Sequence, residues 1–237
     1  NGFAAESTFR LSGRIEVDGE HTIPLQAMRT TTDMPVPAPL ALASWVGMKT
    51  HRLLRSSGET PTLQRIDVTI DLIAQRRFVA VDHAWLEKTT VRSGDEVRGK
   101  VFLRPYRGER IETPFKIRIP PSAPKGRLRL LVSDAQTLNR ATRIAAARTR
   151  LPNLSETVSL LNKEHGNHQL FISLLQPNVT ARLEARTLPN LPLSVLSVMR
   201  QSSKRRLWLE YESPLERFPI AFDSIVSGSY SIDLRVE

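Results

Sequence analysis

Residues 93–132 read SGDEVRGKVFLRPYRGERIETPFKIRIPPSAPKGRLRLLV, and this stretch decides the fold class. Two runs that are rich in apolar residues, 97–106 and 111–119, are joined by a short turn that contains Gly108. A proline-rich bend then leads into a third run at 128–132. Short strands separated by glycine and proline turns are typical of antiparallel sandwiches. The segment therefore predicts an antiparallel β-sandwich of the immunoglobulin-like type.

The residues before this segment predict further strands and one helix. Apolar and polar residues alternate at 8–17, and a two-residue turn joins this run to a return strand at 21–28. Pro24 places the return strand at a sheet edge, since proline cannot donate to a strand on both sides. The apolar spacing at 39–54 predicts an amphipathic helix. The strongest alternation predicts a strand with one apolar face, which is formed by Ile66, Val68, Ile70 and Leu72.

After residue 133 the chain becomes richer in helical patterns. Helices are predicted at 134–148, which is rich in Ala, Leu and Arg and holds no Gly or Pro, and at 155–164, which His165-Gly166-Asn167 ends. Further strands are predicted at 78–86, 170–174, 179–185, 207–211 and 229–236, together with a short helix at 192–199.

The predicted class is therefore mainly β with some helix (α+β), and the predicted domain boundary lies near residue 133. Residues 1–133 would form a β-rich domain with one helix and the immunoglobulin-like sandwich unit. Residues 134–237 would form a helical segment followed by a smaller α+β subdomain, which is a second β-rich unit with short helices.

Composition limits the classes of function. The chain has 237 residues, with 34 Lys and Arg against 24 Asp and Glu, which gives a formal net charge of +10. A basic surface attracts polyanions, although these charges are spread along the whole chain. The chain holds no cysteine, which excludes disulfides, thiolate zinc sites and a cysteine nucleophile. No apolar run approaches the ~18 residues of a transmembrane helix.

The sequence contains no complete catalytic motif. A serine hydrolase needs an activated serine with a histidine base and an acid, and no G-x-S-x-G string occurs. His83 follows Asp82 in a predicted strand, where neighbouring side chains point to opposite faces, so this pair should not form a catalytic dyad. His165 and His168 flank a predicted turn without a third firm ligand. We therefore predict no catalytic residue, no cofactor and no metal site.

The hairpin around Gly108 is the candidate interaction site. It combines aromatic rings with positive charge, as nucleic-acid-binding faces do, in Phe102, Arg104, Tyr106, Arg107 and Arg110. The even-numbered residues of the first strand share one face. The alternative is a hairpin whose aromatic side chains pack in the core while its arginines surround them.

Residues 93–135, with the later strings LFISLLQP and LPNLPLSVL, resemble a known family. They are similar to the C-terminal region of secreted acidobacterial proteins of the SpoIVB type, a sporulation-peptidase-like family, over residues 60–200. The family pattern is "pGe…v.lrPyrGe…iPp..p.G.l.l.v.D". Its peptidase region carries a G-x-S-G-S-x motif, whereas the nearest string here, at residues 226–230, is VSGSY and lacks the leading glycine. The resemblance therefore implies a non-catalytic accessory region and carries over no catalytic residue.

These observations predict a non-catalytic protein-binding or assembly module of an exported bacterial protein, accessory to a peptidase-like precursor. Its partners would be other proteins, which would dock on exposed strand edges. The resemblance implies a periplasmic, cell-surface or extracellular location. Two alternatives stay open. The first is a weak binder of polyanions such as nucleic acid or an anionic envelope surface, and the second is a serine peptidase whose catalytic part is missing from this chain.

Overall fold

The chain folds into three sheets and three helices over its described residues. The structure, a computed structural model, describes residues 6–18, 21–31, 36–56, 61–146, 153–183, 186–188, 195 and 207–237. The strands are β1 Thr8–Val17, β2 His21–Thr30, β3 Leu63–Ile73, β4 Phe78–Leu86, β5 Thr90–Val91, β6 Glu96–Pro105, β7 Ile111–Arg118, β8 Gly126–Asp134, β9 Gln169–Leu183, β10 Arg186–Leu188, β11 Leu207–Ala221, β12 Ile225–Ser227 and β13 Ser229–Val236. The helices are α1 Ala38–Leu54, α2 Ala135–Ala146 and α3 Leu154–Asn162. The predicted mainly β class with antiparallel sheets and short helices is confirmed.

The first sheet has three antiparallel strands in the order β2-β1-β3. The turn between β1 and β2 begins at Asp18, whose φ of 49° lies in the left-handed region that Asp tolerates better than most residues. Pro24 lies in β2, which is an edge strand as predicted. We call this unit the three-stranded sheet.

Two helices cover one face of the three-stranded sheet. Helix α1 contacts β1 and β2, and α3 contacts β2 and α1. A capping box holds the start of α3, because the Asn153 side chain accepts a hydrogen bond from Glu156 N while the Glu156 side chain accepts one from Asn153 N. The cluster beneath the helices consists of Leu11, Ile15, Val17, Ile23, Leu25, Ala27, Leu42, Leu53, Val158 and Leu161.

The other two sheets share one hydrophobic core and form a sandwich. One sheet has the order β12-β4-β6-β7, and the other has the order β10-β9-β8-β13-β5 with β11 also paired to β9. The shared core draws its largest residues from both sheets: Val97, Val101, Leu103, Phe115 and Ile117 from the first, and Leu128, Leu130, Leu170, Ile172, Leu174 and Leu234 from the second. The predicted division near residue 133 falls at the end of β8, and strands from both sides of it pair in one sheet.

The described residues of the predicted strands at 170–174 and 179–185 belong to a single long strand, β9. Pro177, which lacks a backbone N–H, lies between the two predicted strands. In the structure Pro177 pairs with Glu212 beside a register shift in β11, and proline is tolerated at such irregularities. The predicted helix at 192–199 lies outside the described residues apart from Val195. No helix within the described ranges is long and apolar enough to cross a membrane.

The three-stranded sheet is tied to the sandwich by polar contacts. The Asn167 side chain, just before β9, donates to Met28 O at 2.8 Å and accepts from Met28 N at 2.9 Å. Lys49 of α1 and Glu164 form an ion pair of 2.7 Å, and both side chains are largely buried. The segment between α3 and β9 therefore connects the two units.

Candidate functional site

Strand β3 carries a row of exposed apolar side chains. Ile66, Val68, Ile70 and Leu72 are 43%, 42%, 46% and 52% exposed. We call these four residues the β3 row. The register with β1 pairs Ile66 with Ile15 and Ile70 with Leu11. Residues directly opposite each other point to the same face of a sheet, so the β3 row lies on the face that the helices cover.

The helices leave this part of the face open. The hydrophobic cluster under α1 and α3 includes Leu63 at the start of β3 but no member of the β3 row. Their coverage is therefore concentrated on β1 and β2. The sheet continues the apolar face on to β3, where it meets solvent. In the described part of the chain, β3 is also hydrogen-bonded on its β1 side only, because it ends the sheet.

The opposite face of β3 is charged. Arg65 donates from Nε to Asp67 Oδ1 at 2.7 Å, and this hydrogen bond and the charge of Asp67 raise the pKa of Arg65. Arg14 of β1 lies directly opposite Asp67 and is 3.4 Å from its carboxylate. Strand β3 therefore has one apolar face and one ionic face, as the alternation in the sequence predicts.

The predicted interaction hairpin presents most of its residues on the outside of the sandwich. In β6, Val101 and Leu103 are fully buried, so Phe102 and Arg104 between and beyond them face outward. Tyr106 is 41% exposed. Phe102 and Tyr106 therefore lie outside the sandwich core, whereas Phe115 of β7 is part of it.

Three of the five predicted residues meet on this outer face. Arg104 and Arg110 both form ion pairs with Asp82. The His83 ring stacks on Phe102 with 4.3 Å between ring centroids, and the Arg110 guanidinium lies 4.8 Å from the Phe102 centroid. We call this group of Asp82, His83, Phe102, Arg104 and Arg110 the arginine cluster.

A β-bulge brings Asp82 and His83 together, so the expectation that these two side chains point to opposite faces was wrong. The register of β4 on β6 shifts between Val81 and His83, so Asp82 has no partner of its own in the pairing. At a bulge two successive side chains point to the same side, which breaks the alternation on which the prediction relied. His83 Nδ1 lies 3.1 Å from Asp82 Oδ2.

The arginine cluster stabilises the ionised form of the Asp82 carboxyl group. Hydrogen bonds from His83, Arg110 and Arg104 lower the pKa of Asp82 to about 2. His83 Nδ1 also lies 2.8 Å from Arg110 Nη2, and Tyr230 approaches the ring edge-on at 6.4 Å. The described contacts of His83 thus include a carboxylate, a guanidinium and two aromatic rings.

The other two predicted residues lie elsewhere. The Arg76 guanidinium lies 3.9 Å from the Tyr106 ring centroid and that of Arg107 lies 5.3 Å away. Arg107 also pairs with Glu6 at 2.7 Å. These side chains line an open cavity of about 430 Å³ that includes Asp223. The hairpin therefore divides its predicted site between two places.

His165, one of the two histidines that flank the turn before β9, packs against a neighbouring ring. The His165 ring lies 4.5 Å from the Phe171 ring, centroid to centroid, at a tilt of 44°, and burial together with the charge of Arg217 lowers the pKa of His165. The Glu164 carboxylate forms ion pairs with Lys49 and Arg52. Among the described residues, no group of three His, Asp or Glu side chains is arranged to hold a metal ion.

The sequence identified some of these features and missed others. The β3 row was predicted as an apolar strand face, but a period of two does not say what covers that face. Asp82 and His83 were missed as partners of the hairpin because a bulge has no signal in the alternation of a single strand. Arg76 was missed because it reaches Tyr106 from the segment between β3 and β4.

Comparison of this chain with protein-family models, with curated proteins and with solved structures finds no match.

Proposed function

We propose that this chain is a non-catalytic protein-binding or assembly module of an exported bacterial protein, and that it docks its partner on β3. The observation that carries the proposal is the β3 row at the free edge of a sheet. An extended segment can add to such an edge through main-chain hydrogen bonds while apolar side chains give specificity.

Natural proteins usually protect an edge strand of this kind. Common devices are a very short strand, charged side chains (lysine above all), a proline, a bulge or a covering helix. β3 has eleven residues with the sequence LQRIDVTIDLI, which contains neither proline nor lysine, and its charged residues Arg65, Asp67 and Asp71 all belong to the ionic face. Its register with β1 shifts only at the Glu16/Val17 end. A long edge with an exposed apolar face is therefore best explained by an occupant.

The charge pattern favours a protein over a polyanion as that partner. The basic side chains on the outer face of the sandwich are largely matched by acids: Lys100 pairs with Glu112 at 3.0 Å, and Arg104 and Arg110 pair with Asp82. A polyanion would have to displace these carboxylates. The β3 row itself is uncharged, and it suits the apolar side chains of a protein.

Site-specific photo-crosslinking tests this proposal. A photoreactive phenylalanine analogue replaces Ile70 in cells that produce the protein, and the matched control carries it at Ile111, an exposed isoleucine of β7. We expect a protein adduct of defined mass at position 70 and none at position 111. The absence of adducts at position 70, or equal adducts at both positions, would contradict the proposal.

A further inference from the structure

We infer that the partner on β3 is a second copy of this chain, whose β3 strand pairs antiparallel with the first so that Val68 lies opposite Val68. This inference rests on the proposed function, since it names the occupant of the same edge. Two-fold pairing of this kind joins the two three-stranded sheets into one sheet of six strands in the order β2-β1-β3-β3-β1-β2. The contact is the same surface on both copies, as a symmetric dimer requires.

The pleat of β3 limits the registers that the two copies can adopt. Residues that lie directly opposite each other share a face, so the even-numbered residues of β3 in one copy, which include the β3 row, must lie opposite even-numbered residues of β3 in the other. Any register that is shifted by one residue would put apolar side chains beside the ionic face. The symmetric registers that remain are centred on a single residue of β3.

The charges on the ionic face select among these registers. Centring on Asp67 places that carboxylate opposite its own copy, and centring on Thr69 places Asp67 opposite Asp71 twice. Like charges directly opposite each other destabilise a sheet. Both registers are therefore disfavoured.

The register centred on Val68 gives complementary charges. It pairs Arg65 with Asp71 of the second copy, and by symmetry it does so twice. Asp67 then lies opposite Thr69, whose hydroxyl can donate to it. The present hydrogen bond from Arg65 Nε to Asp67 leaves the Nη groups of the guanidinium to donate across the new interface.

This register also uses the whole strand. All eleven residues of β3, from Leu63 to Ile73, find a partner in the second copy. The register centred on Ile66 also matches opposite charges, Arg65 with Asp67, but it pairs only residues 63–69 and leaves Asp71 and Leu72 beyond the strand of the second copy. Opposite pairing of Ile66 with Ile70 and of Val68 with itself brings the three β-branched side chains of each β3 row into contact, while Leu72 lies opposite Gln64 of the second copy.

Cysteine scanning tests the register directly, because the chain has no cysteine of its own. Directly opposed strand residues have the Cα separation that a disulfide needs, whereas diagonal neighbours do not. We expect V68C to form a disulfide-linked dimer under mild oxidation. The controls I66C and I70C should not form one, since each lies opposite the other position and not opposite itself. A dimer from I66C or I70C with none from V68C would overturn the register.

Charge exchange provides the second measurement. In analytical ultracentrifugation we expect wild type to dimerise, and R65D and D71R each to weaken the dimer by tenfold or more. The double variant R65D/D71R should recover dimerisation, because the ion pairs re-form with reversed signs, while R65D/D67R should not recover it. Circular dichroism of each variant shows whether it is folded. A wild-type chain that stays a monomer at every concentration overturns the inference, and a different protein crosslinked to position 70 would then leave the proposed function standing.

Discussion

The sandwich and the three-stranded sheet use the same sequence pattern with different results. In the sandwich, the inward rows of β6 and β8 are covered by the facing sheet, so that Val97, Val101 and Leu130 are fully buried. In the three-stranded sheet, β1 and β2 are covered by helices, whereas β3 exposes its apolar row. Alternation thus specifies which side chains share a face. Whether that face is buried depends on elements that lie far away in the sequence.

The largest expected difference between the two regions is the loss of stability when a leucine of each is replaced by alanine. Leu130 is fully buried in the sandwich core, whereas Leu72 of the β3 row is 52% exposed. We expect Leu130→Ala to lower the free energy of unfolding by about 2–5 kcal/mol, because it removes a buried side chain and leaves a cavity. Leu72→Ala should lower it by about 1 kcal/mol or less, as surface substitutions do.

Denaturant unfolding at low protein concentration measures both changes. The concentration is kept low so that self-association does not add to the apparent stability. Equal losses of unfolding free energy for the two variants would mean that the β3 row is as buried in solution as the sandwich core. That result would contradict an exposed β3 row.

A glycine pair tests how closely β1 and β3 approach each other. A Cβ on Gly13 would lie 2.0 Å from the carbonyl oxygen of Asp67 in β3. Gly13→Ala should therefore force the strands apart and lower the free energy of unfolding by about 1–3 kcal/mol. Gly47, in the middle of α1, has no atom within 4 Å of an added Cβ. Gly47→Ala should raise the stability by about 0.5–1 kcal/mol, because alanine favours the helix.

Thermal or denaturant unfolding of the two variants gives the sign of each effect. A Gly13→Ala variant as stable as wild type would show that β3 does not pair with β1 in this register. Because the dimer requires an intact β3, the same variant should also fail to form it.

Local alternation was enough to predict most strands and α1. The bounds of β1 and β4 follow from residues 8–17 and 78–86 alone, because each pattern is set by neighbours in the sequence. The bulge at Asp82 could not be predicted in this way, since it depends on how β4 meets β6. The solvent exposure of Val68 likewise depends on where α1 and α3 pack on the sheet. The sequence therefore predicted the residues of the candidate site but not the residues that contact them.

The smallest expected effect is a difference in how Glu164, next to the three-stranded sheet, and Asp82, in the sandwich, contribute to stability at acidic pH. Burial alone would raise the pKa of Glu164, but hydrogen bonds and charge from Lys49 and Arg52 outweigh burial and lower it below the ordinary value of 4.5. A carboxyl whose pKa is lowered by folding stabilises the protein above its unfolded pKa, and this contribution is lost as the pH falls through the folded value. Asp82 of the sandwich, with a pKa of about 2, behaves in the same way at lower pH.

The measurement is the difference in unfolding free energy between wild type and each neutral variant as a function of pH. We expect the difference between wild type and Glu164→Gln to be largest near neutral pH and to narrow as the pH falls below 4.5. For Asp82→Asn the narrowing should begin only below 3.8, the ordinary value of Asp, and continue towards pH 2. A difference that does not change with pH for Glu164→Gln would mean that the ion pair with Lys49 does not form in solution. Helix α1 would then lack this ion pair with the segment that leads into β9, because Glu164 lies between α3 and that strand.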